Sequence, residues 1–134
     1  MGDAIKADVQ DIEAIAIANV HFRQVRYTAR HCRLVVMALQ PKEDIGAEVH
    51  RLDPFFRVEQ GRGEAVLDGL RTPIQAGRAV VVPAFVRHSI IHTGAGPPKL
   101  CTLYAPPKHR DGVVHHTRAD AEADTEHSDG RTTP

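Results

Sequence analysis

The sequence is poor in aromatic residues, which make up 4% of its 134 positions, and it carries no net charge, because 17 basic residues balance 17 acidic ones. Domains that bind nucleic acid usually present a basic surface with aromatic side chains among the charges. No stretch of this chain has that character, so nucleic acid is not an expected partner. No apolar run approaches the ~18 residues of a membrane-spanning helix, so a membrane is not expected either.

Cysteine is also scarce. The two cysteines, Cys32 and Cys101, lie in apolar runs, where a free thiol behaves as a small buried hydrophobe rather than as part of a disulfide framework. The first eleven residues include acidic side chains and lack the apolar centre of a secretory signal. These features predict a protein of the reducing cytoplasm. The chain also lacks a phosphate-binding glycine loop, a Cys-x-x-Cys pair and a Ser/His/Asp order.

What the sequence has instead is a series of short runs rich in Val, Ile, Leu and Phe, separated by Gly, Pro or Asp-Gly from residue 22 onward. Many short strands at such spacing are typical of an antiparallel sandwich or barrel. The pair Asp68-Gly69 predicts a tight hairpin, because a type I′ turn needs positive φ at both central positions. The predicted strands are 23–27, 32–39, 45–50, 55–60, 63–67, 71–75, 79–82, 88–93 and 99–104.

The two ends of the chain differ from this middle part. Residues 11–20 predict a short helix, although the alternation of Ala and Ile would also allow a strand. Thr117 suits the N-cap of a second short helix, and residues 125–134 are polar and resemble a frayed terminus. We therefore expect one domain, organised as an N-terminal segment, a barrel and a C-terminal tail, with bounds at 1–21, 22–108 and 109–134.

Three residues carry the strongest chemical signal. Glu48 and His50 are two apart in a predicted strand, so they share a face and their Cα atoms stand about 6.6 Å apart. His88 arrives from a separate strand. Two imidazoles and one carboxylate that converge inside a barrel suit a divalent transition metal with open coordination positions. The alternative is a partly buried carboxylate–imidazole pair with no metal.

Two stretches also follow a known spacing. One known pattern runs His-x-His, three or four residues, Glu or Gln, six residues, Gly. Glu48-Val49-His50 occupies its His-x-His position, and Gly61 stands at its final glycine. Gly77, Pro83 and His88 fit Gly, five residues, Pro-x-Gly, two residues, His, three residues, Asn. Over about residues 22–116 the chain thus resembles the small single-domain cupins, close to their mannose-6-phosphate-isomerase-like branch.

Three departures from that pattern matter most. Pro54 stands where the family has a Glu or Gln ligand, and neighbouring Asp53 replaces it only if a bulge re-aims its side chain. Phe85 replaces the turn glycine, so we expect the turn to be rebuilt rather than to keep a positive φ. His92 replaces the terminal Asn. It is ~13 Å from His88 along a strand, which is too far for one mononuclear site.

The remaining inward positions follow from strand alternation. Phe56 and Val58 should face the barrel interior and Arg57 the outside, while Arg33 and Tyr27 are expected at the surface or rim, with the cavity as the alternative. The histidines of the tail resemble a metal-binding tract by composition, but their spacing does not fix a tetrahedral site, so they are expected to be solvated or to cover a subunit. The predicted metal ligands are Glu48, His50 and His88, the predicted pocket residues are Phe56, Val58, Ile90 and His92, and the tail histidines are His109, His115 and His116.

The resemblance implies a function as well as a fold. The fold would be all-β, a cupin-type double-stranded β-helix or jelly-roll barrel, in a homodimer. The function would be isomerase, dioxygenase, decarboxylase or lyase chemistry on a small polar or carbonyl compound, at a site for Fe, Mn, Ni or Zn that Pro54 weakens. Two alternatives remain: a small-molecule-binding barrel with a degraded metal site, and a metal-free enzyme in which His50 or His88 is the acid or base.

Overall fold

The computed structural model describes residues 8–40, 45, 51–94, 96–106 and 112–123. Antiparallel strands dominate this part of the chain, and a short helix lies near each end. In chain order the elements are α1 (Ile12–Ala18), β1 (Arg23–Thr28), β2 (Arg33–Ala38), β3 (Asp53–Gln60), β4 (Arg62–Leu67), β5 (Leu70–Gln75), β6 (Ala79–Val81), β7 (His88–His92), β8 (Lys99–Ala105), β9 (Val114–His115) and α2 (Arg118–Ala123).

The strands of the described residues form two sheets. One has six strands in the order β6-β3-β8-β2-β1-β9, and the other has three in the order β5-β4-β7. The all-β prediction with a short N-terminal helix is confirmed, and eight predicted strands lie within two residues of the observed bounds. The predicted strand 45–50 falls outside the described residues except for Ile45. None of the described helices is long and apolar enough to cross a membrane.

Strand β9 was not among the strands predicted from the sequence. It pairs with β1, Arg23 opposite His115 and Gln24 opposite Val114, at the edge of the six-stranded sheet. His115 is therefore buried in the fold, and the expectation of a solvated or subunit-covering tail is wrong for this residue. A pairing of two residues leaves no alternation in the sequence from which it can be recognised.

Two turns show what local sequence can and cannot specify. Asp68 and Gly69 have φ of 48° and 83°, so the predicted hairpin between β4 and β5 is confirmed. Phe85 has φ 69°. The expectation that the turn is rebuilt is wrong, because the left-handed conformation is retained without glycine, at a cost on the order of 1–2 kcal/mol.

The core lies between the two sheets. Along the inner face of the six-stranded sheet, side chains from neighbouring strands form cross-strand rows, and the three-stranded sheet packs against them. The middle row is Phe56, Thr102, Val35 and Val25, the next row toward one end is Val58, Leu100 and Met37, and the opposing sheet contributes Ala65, Ile74 and Ile90. The metal site predicted from the sequence would lie in this interior.

Helix α1 covers part of the outer face of the same sheet. Asp11 caps it, its Oδ1 accepting from the Ala14 backbone N at 3.1 Å. Ala16 packs with Val36 and Cys101. Cys101 is buried as expected, and Cys32 is half-buried; both thiols are free.

Candidate functional site

His88 is the predicted ligand that the structure places inside the barrel. It is the first residue of β7, pairs with Leu67 of β4, and is 2% exposed. Its ring lies against Phe56, with the centroids 5.9 Å apart and the planes at 51°. The side chain therefore belongs to the interior wall.

One nitrogen of the His88 ring contacts the backbone. Nδ1 is 3.1 Å from the carbonyl oxygen of Val86, and a carbonyl can only accept, so Nδ1 carries the hydrogen and donates. In the neutral ring the lone pair then belongs to Nε2, which is a buried atom. Metal-bound histidines are commonly fixed in this way, through a backbone carbonyl on the nitrogen that does not touch the metal.

Glu48 and His50 lie outside the described residues. The described residue nearest before them is Ile45, whose backbone N donates to the carbonyl of Ile90 at 3.0 Å. Ile45 is buried in the same core cluster as Phe56 and Ile90. Residue 45 thus lies beside β7, which is the strand that carries His88.

Asp53 does not replace the missing ligand. It is exposed, and its Oδ1 accepts from the backbone N of Ala84 at 2.6 Å, which caps the turn that leads to Phe85. Pro54 is the buried residue of this pair, opposite Tyr104 of β8, and it has no side-chain donor or acceptor. Within the described ranges no group of three His, Cys, Asp or Glu residues could hold a metal ion.

The four predicted pocket residues divide into two kinds. Phe56, Val58 and Ile90 are each 1% exposed and share the core cluster, so the inward orientation expected from alternation is observed. His92 is half-buried at the far end of β7, with Nε2 2.9 Å from the carbonyl oxygen of Gly96. It helps to fix the loop before β8, and the pocket roles of all four stay predictions.

Arg33 was expected at the surface or rim, and that expectation is wrong. It is 0% exposed and shares the inner face with Val35. Its partner on the neighbouring strand β8 is Tyr104. Its Nε donates to Thr28 Oγ1 at 2.7 Å. Strand alternation in the sequence does indicate an inward Arg33, because it has the same parity in β2 as Val35 and Met37. The charge of the side chain favoured the surface instead. Tyr27 is half-buried.

A second polar cluster lies on the outer face. Arg57 points outward as predicted and forms an ion pair with Glu59, whose side chain is 1% exposed. The Cys101 thiol donates to Glu59 Oε1 at 3.4 Å. Burial, followed by this contact, raises the pKa of Cys101 to about 12, while the hydrogen bond to Glu59 raises the pKa of Arg57. A thiol that stays protonated is a poor nucleophile, so this cluster is structural.

Two open cavities occur away from His88. One, of about 520 Å³, has a mostly polar lining that includes Arg62, Glu64, Gln75 and Arg78, with Ile74 as an apolar member. The other, of about 360 Å³, lies between the segment before α1 and the outer face of the six-stranded sheet. Neither is lined by an interior residue predicted for the site.

Comparison with known proteins supports the barrel fold described above. The Cupin domain family matches residues 35–104. The Bacillus subtilis protein YrkC is 40% identical over 125 residues, covering 88% of this chain and 67% of its own. Protein L612 of Acanthamoeba polyphaga mimivirus is 32% identical over 111 residues, covering 79% and 69%.

A solved structure is similar over nearly the whole chain. The crystal structure of BH2720 from Bacillus halodurans superposes with a TM-score of 0.87 at 36% identity, covering 90% of this chain and 96% of that one. These matches establish the superfamily; the mannose-6-phosphate-isomerase-like branch stays a prediction.

Proposed function

The chain belongs to the cupin superfamily, and we propose that its barrel binds a divalent transition metal through Glu48, His50 and His88 and acts on a small polar or carbonyl-containing molecule. The observation that carries this proposal is His88. It is a buried imidazole whose Nδ1 donates to a backbone carbonyl, which leaves the lone pair on a buried Nε2.

The chemistry of the donor set fits such an ion. Two imidazoles and a carboxylate suit Fe, Mn, Ni or Zn, and a metal held by them would supply Lewis-acid chemistry. Pro54 adds no donor at the usual fourth position, and Asp53 is turned away to the Ala84 turn. We therefore expect a weaker site with more room for substrate or water than a four-ligand cupin offers.

The residues around His88 would shape the rest of the site. Phe56 lies against the imidazole, and Val58 and Ile90 continue the apolar wall. Such a wall excludes water and leaves orientation to a few polar groups, as in most small-molecule sites. The expected ligand is thus small, with one polar end directed at the metal that His88 would hold.

A second candidate is a cupin that binds a small molecule without turnover. The observation that favours it is the buried Pro54, with Asp53 committed to a turn, because loss of a ligand is also what a degraded metal site would show. Metal binding separates the two candidates.

We propose further that the protein is a cytoplasmic homodimer. The two free thiols support a reducing compartment.

A cross-strand apolar row on the outer face of the six-stranded sheet supports self-association; it consists of Val81, Phe55, Leu103 and Leu34. Val81 is 65% and Leu103 37% exposed. Light scattering of wild type and Leu103→Asp tests this, since a monomeric wild type would refute the dimer.

The metal proposal is tested by the metal content of protein purified without chelators and then dialysed. We expect about one ion per chain in wild type and in the control His92→Ala, and loss of the ion in His50→Ala and His88→Ala. Wild-type protein that holds no metal after dialysis would refute the metal proposal and favour the non-catalytic one.

A further inference from the structure

We propose that His21 and His116 form a second site for a divalent transition metal, outside the barrel, which ties the N-terminal segment to the C-terminal segment. His21 lies between α1 and β1, and His116 lies between β9 and α2. The site is at the β9 edge of the six-stranded sheet, whereas His88 belongs to the other sheet.

The geometry of the two rings is that of a chelating pair. Their Nδ1 atoms are 2.8 Å apart, and the ring centroids are 4.5 Å apart with the planes at 74°. Two nitrogens that each lie ~2.0–2.1 Å from one metal ion are about 3 Å from each other. An ion can therefore take the place of the hydrogen shared between the rings after a shift of a few tenths of an ångström.

The backbone on the His21 side is fixed before any ion binds. Asn19 holds His21 from both sides, since its Nδ2 donates to the His21 carbonyl at 2.9 Å and its Oδ1 accepts from the His21 backbone N at 3.1 Å. The same carbonyl also accepts from the Ala38 backbone N at 3.1 Å. Little conformational freedom remains to be lost on chelation.

The His116 side is fixed to the same part of the fold. Its carbonyl accepts from the Phe22 backbone N at 3.2 Å, one residue beyond His21. The preceding residue, His115, pairs with Arg23 of β1. The two histidines are thus presented to each other by adjacent backbone hydrogen bonds, and not by side-chain contact alone.

The site selects an ion by its donors. Imidazole nitrogens suit Zn²⁺, Ni²⁺ and Cu²⁺, while Mg²⁺ prefers oxygen ligands. His116 is exposed and His21 half-buried, so water can complete the coordination and the ion can exchange. Two protein ligands give a site that dialysis empties, unlike the three-ligand site proposed in the barrel.

The experiment is thermal unfolding of the full chain after EDTA treatment and dialysis, with ZnCl₂, NiCl₂ or MgCl₂ added. In the His88→Ala background, which removes the barrel site, we expect Zn²⁺ and Ni²⁺ near ten times their Kd to raise Tm by about 3–5 °C. Mg²⁺ should have no effect. The rise should vanish when His21→Ala or His116→Ala is added, and persist with His31→Ala, an exposed control.

Nitrogen coupling in the electron paramagnetic resonance spectrum of bound Cu²⁺ gives an independent readout, with two imidazoles expected and one in His116→Gln. A Tm rise that survives His116→Ala, or no rise with either Zn²⁺ or Ni²⁺, would overturn the proposal. Because these melts use the His88→Ala background, failure here is distinct from failure of the barrel site, which is scored by tightly held metal in the otherwise wild-type protein.

Discussion

Titratable groups lie against both faces of strand β3, but their hydrogen-bonding environments differ. On the outer face Arg57, Glu59 and Cys101 satisfy one another, and the thiol is kept protonated by burial and by the carboxylate. On the inner face Phe56 lies against His88, whose Nδ1 contact leaves a lone pair on Nε2. The comparison teaches that burial of an ionisable group does not mark a site. What distinguishes His88 is the tautomer that its backbone contact favours, with the hydrogen on Nδ1.

The largest expected effect compares the two faces directly. Phe56→Ala should lower the free energy of unfolding by about 3–5 kcal/mol, because the ring is 1% exposed in the core. Phe55→Ala, one residue away on the outer face and half-buried, should cost about 1–2 kcal/mol. Urea unfolding of both variants measures the difference. Equal losses would show that the interior of the barrel is not the packed side.

Two buried threonines on the inner face sharpen the comparison. Thr102 is 0% exposed and its Oγ1 has no hydrogen-bond partner among the described residues, whereas Thr28 Oγ1 accepts from Arg33. Thr102→Val should therefore stabilise the protein by about 1 kcal/mol, and Thr28→Val should destabilise it by about 1–3 kcal/mol. Denaturant midpoints of the two variants decide this. A destabilising Thr102→Val would mean that its hydroxyl is satisfied.

Phe85→Gly removes a strained conformation on the turn before His88. Phe85 is 69% exposed and has φ 69°, so glycine relieves backbone strain and loses little packing. After the entropic cost of glycine, we expect a gain of about 1 kcal/mol in unfolding free energy. Phe85→Ala keeps the positive φ and serves as the control. A loss of stability in Phe85→Gly would show that the ring, and not the backbone, holds the turn.

The outer cluster predicts a specific alkaline behaviour. The pKa of Cys101 is raised from 9.0 to about 12, so the folded state holds its proton more tightly than the unfolded state. The resulting stability is complete below about pH 9 and is lost as pH rises toward 12. Urea unfolding between pH 8 and 10.5 should therefore show a decline that is smaller in Cys101→Ala and unchanged in Cys32→Ala. Identical slopes in all three proteins would contradict the assignment.

Sequence patterns predicted the parts of the fold that depend on local chemistry. The Val-, Ile- and Leu-rich runs marked eight strands, and Asp68-Gly69 marked the hairpin because its backbone needs positive φ. Inward placement of Phe56 and Val58 followed from parity within one strand.

The rest depends on partners that are distant in sequence. Whether Asp53 turns inward is decided by the Ala84 backbone N, 31 residues away. Burial of Arg33 depends on Thr28 and on the neighbouring strand β8. The His21–His116 contact joins residues 95 apart, and no spacing rule connects them.

The role of His88 as a metal ligand is tested most directly by the long-range ¹H–¹⁵N spectrum of the histidines, with the His88 signal assigned through His88→Gln. We predict that His88 carries its hydrogen on Nδ1 in the metal-free protein, and that one equivalent of Zn²⁺ shifts the Nε2 signal. The same addition should leave His92 unchanged. A hydrogen on Nε2, or an Nε2 signal that does not respond to metal while other histidines do, would contradict the claim that His88 is a ligand in this barrel.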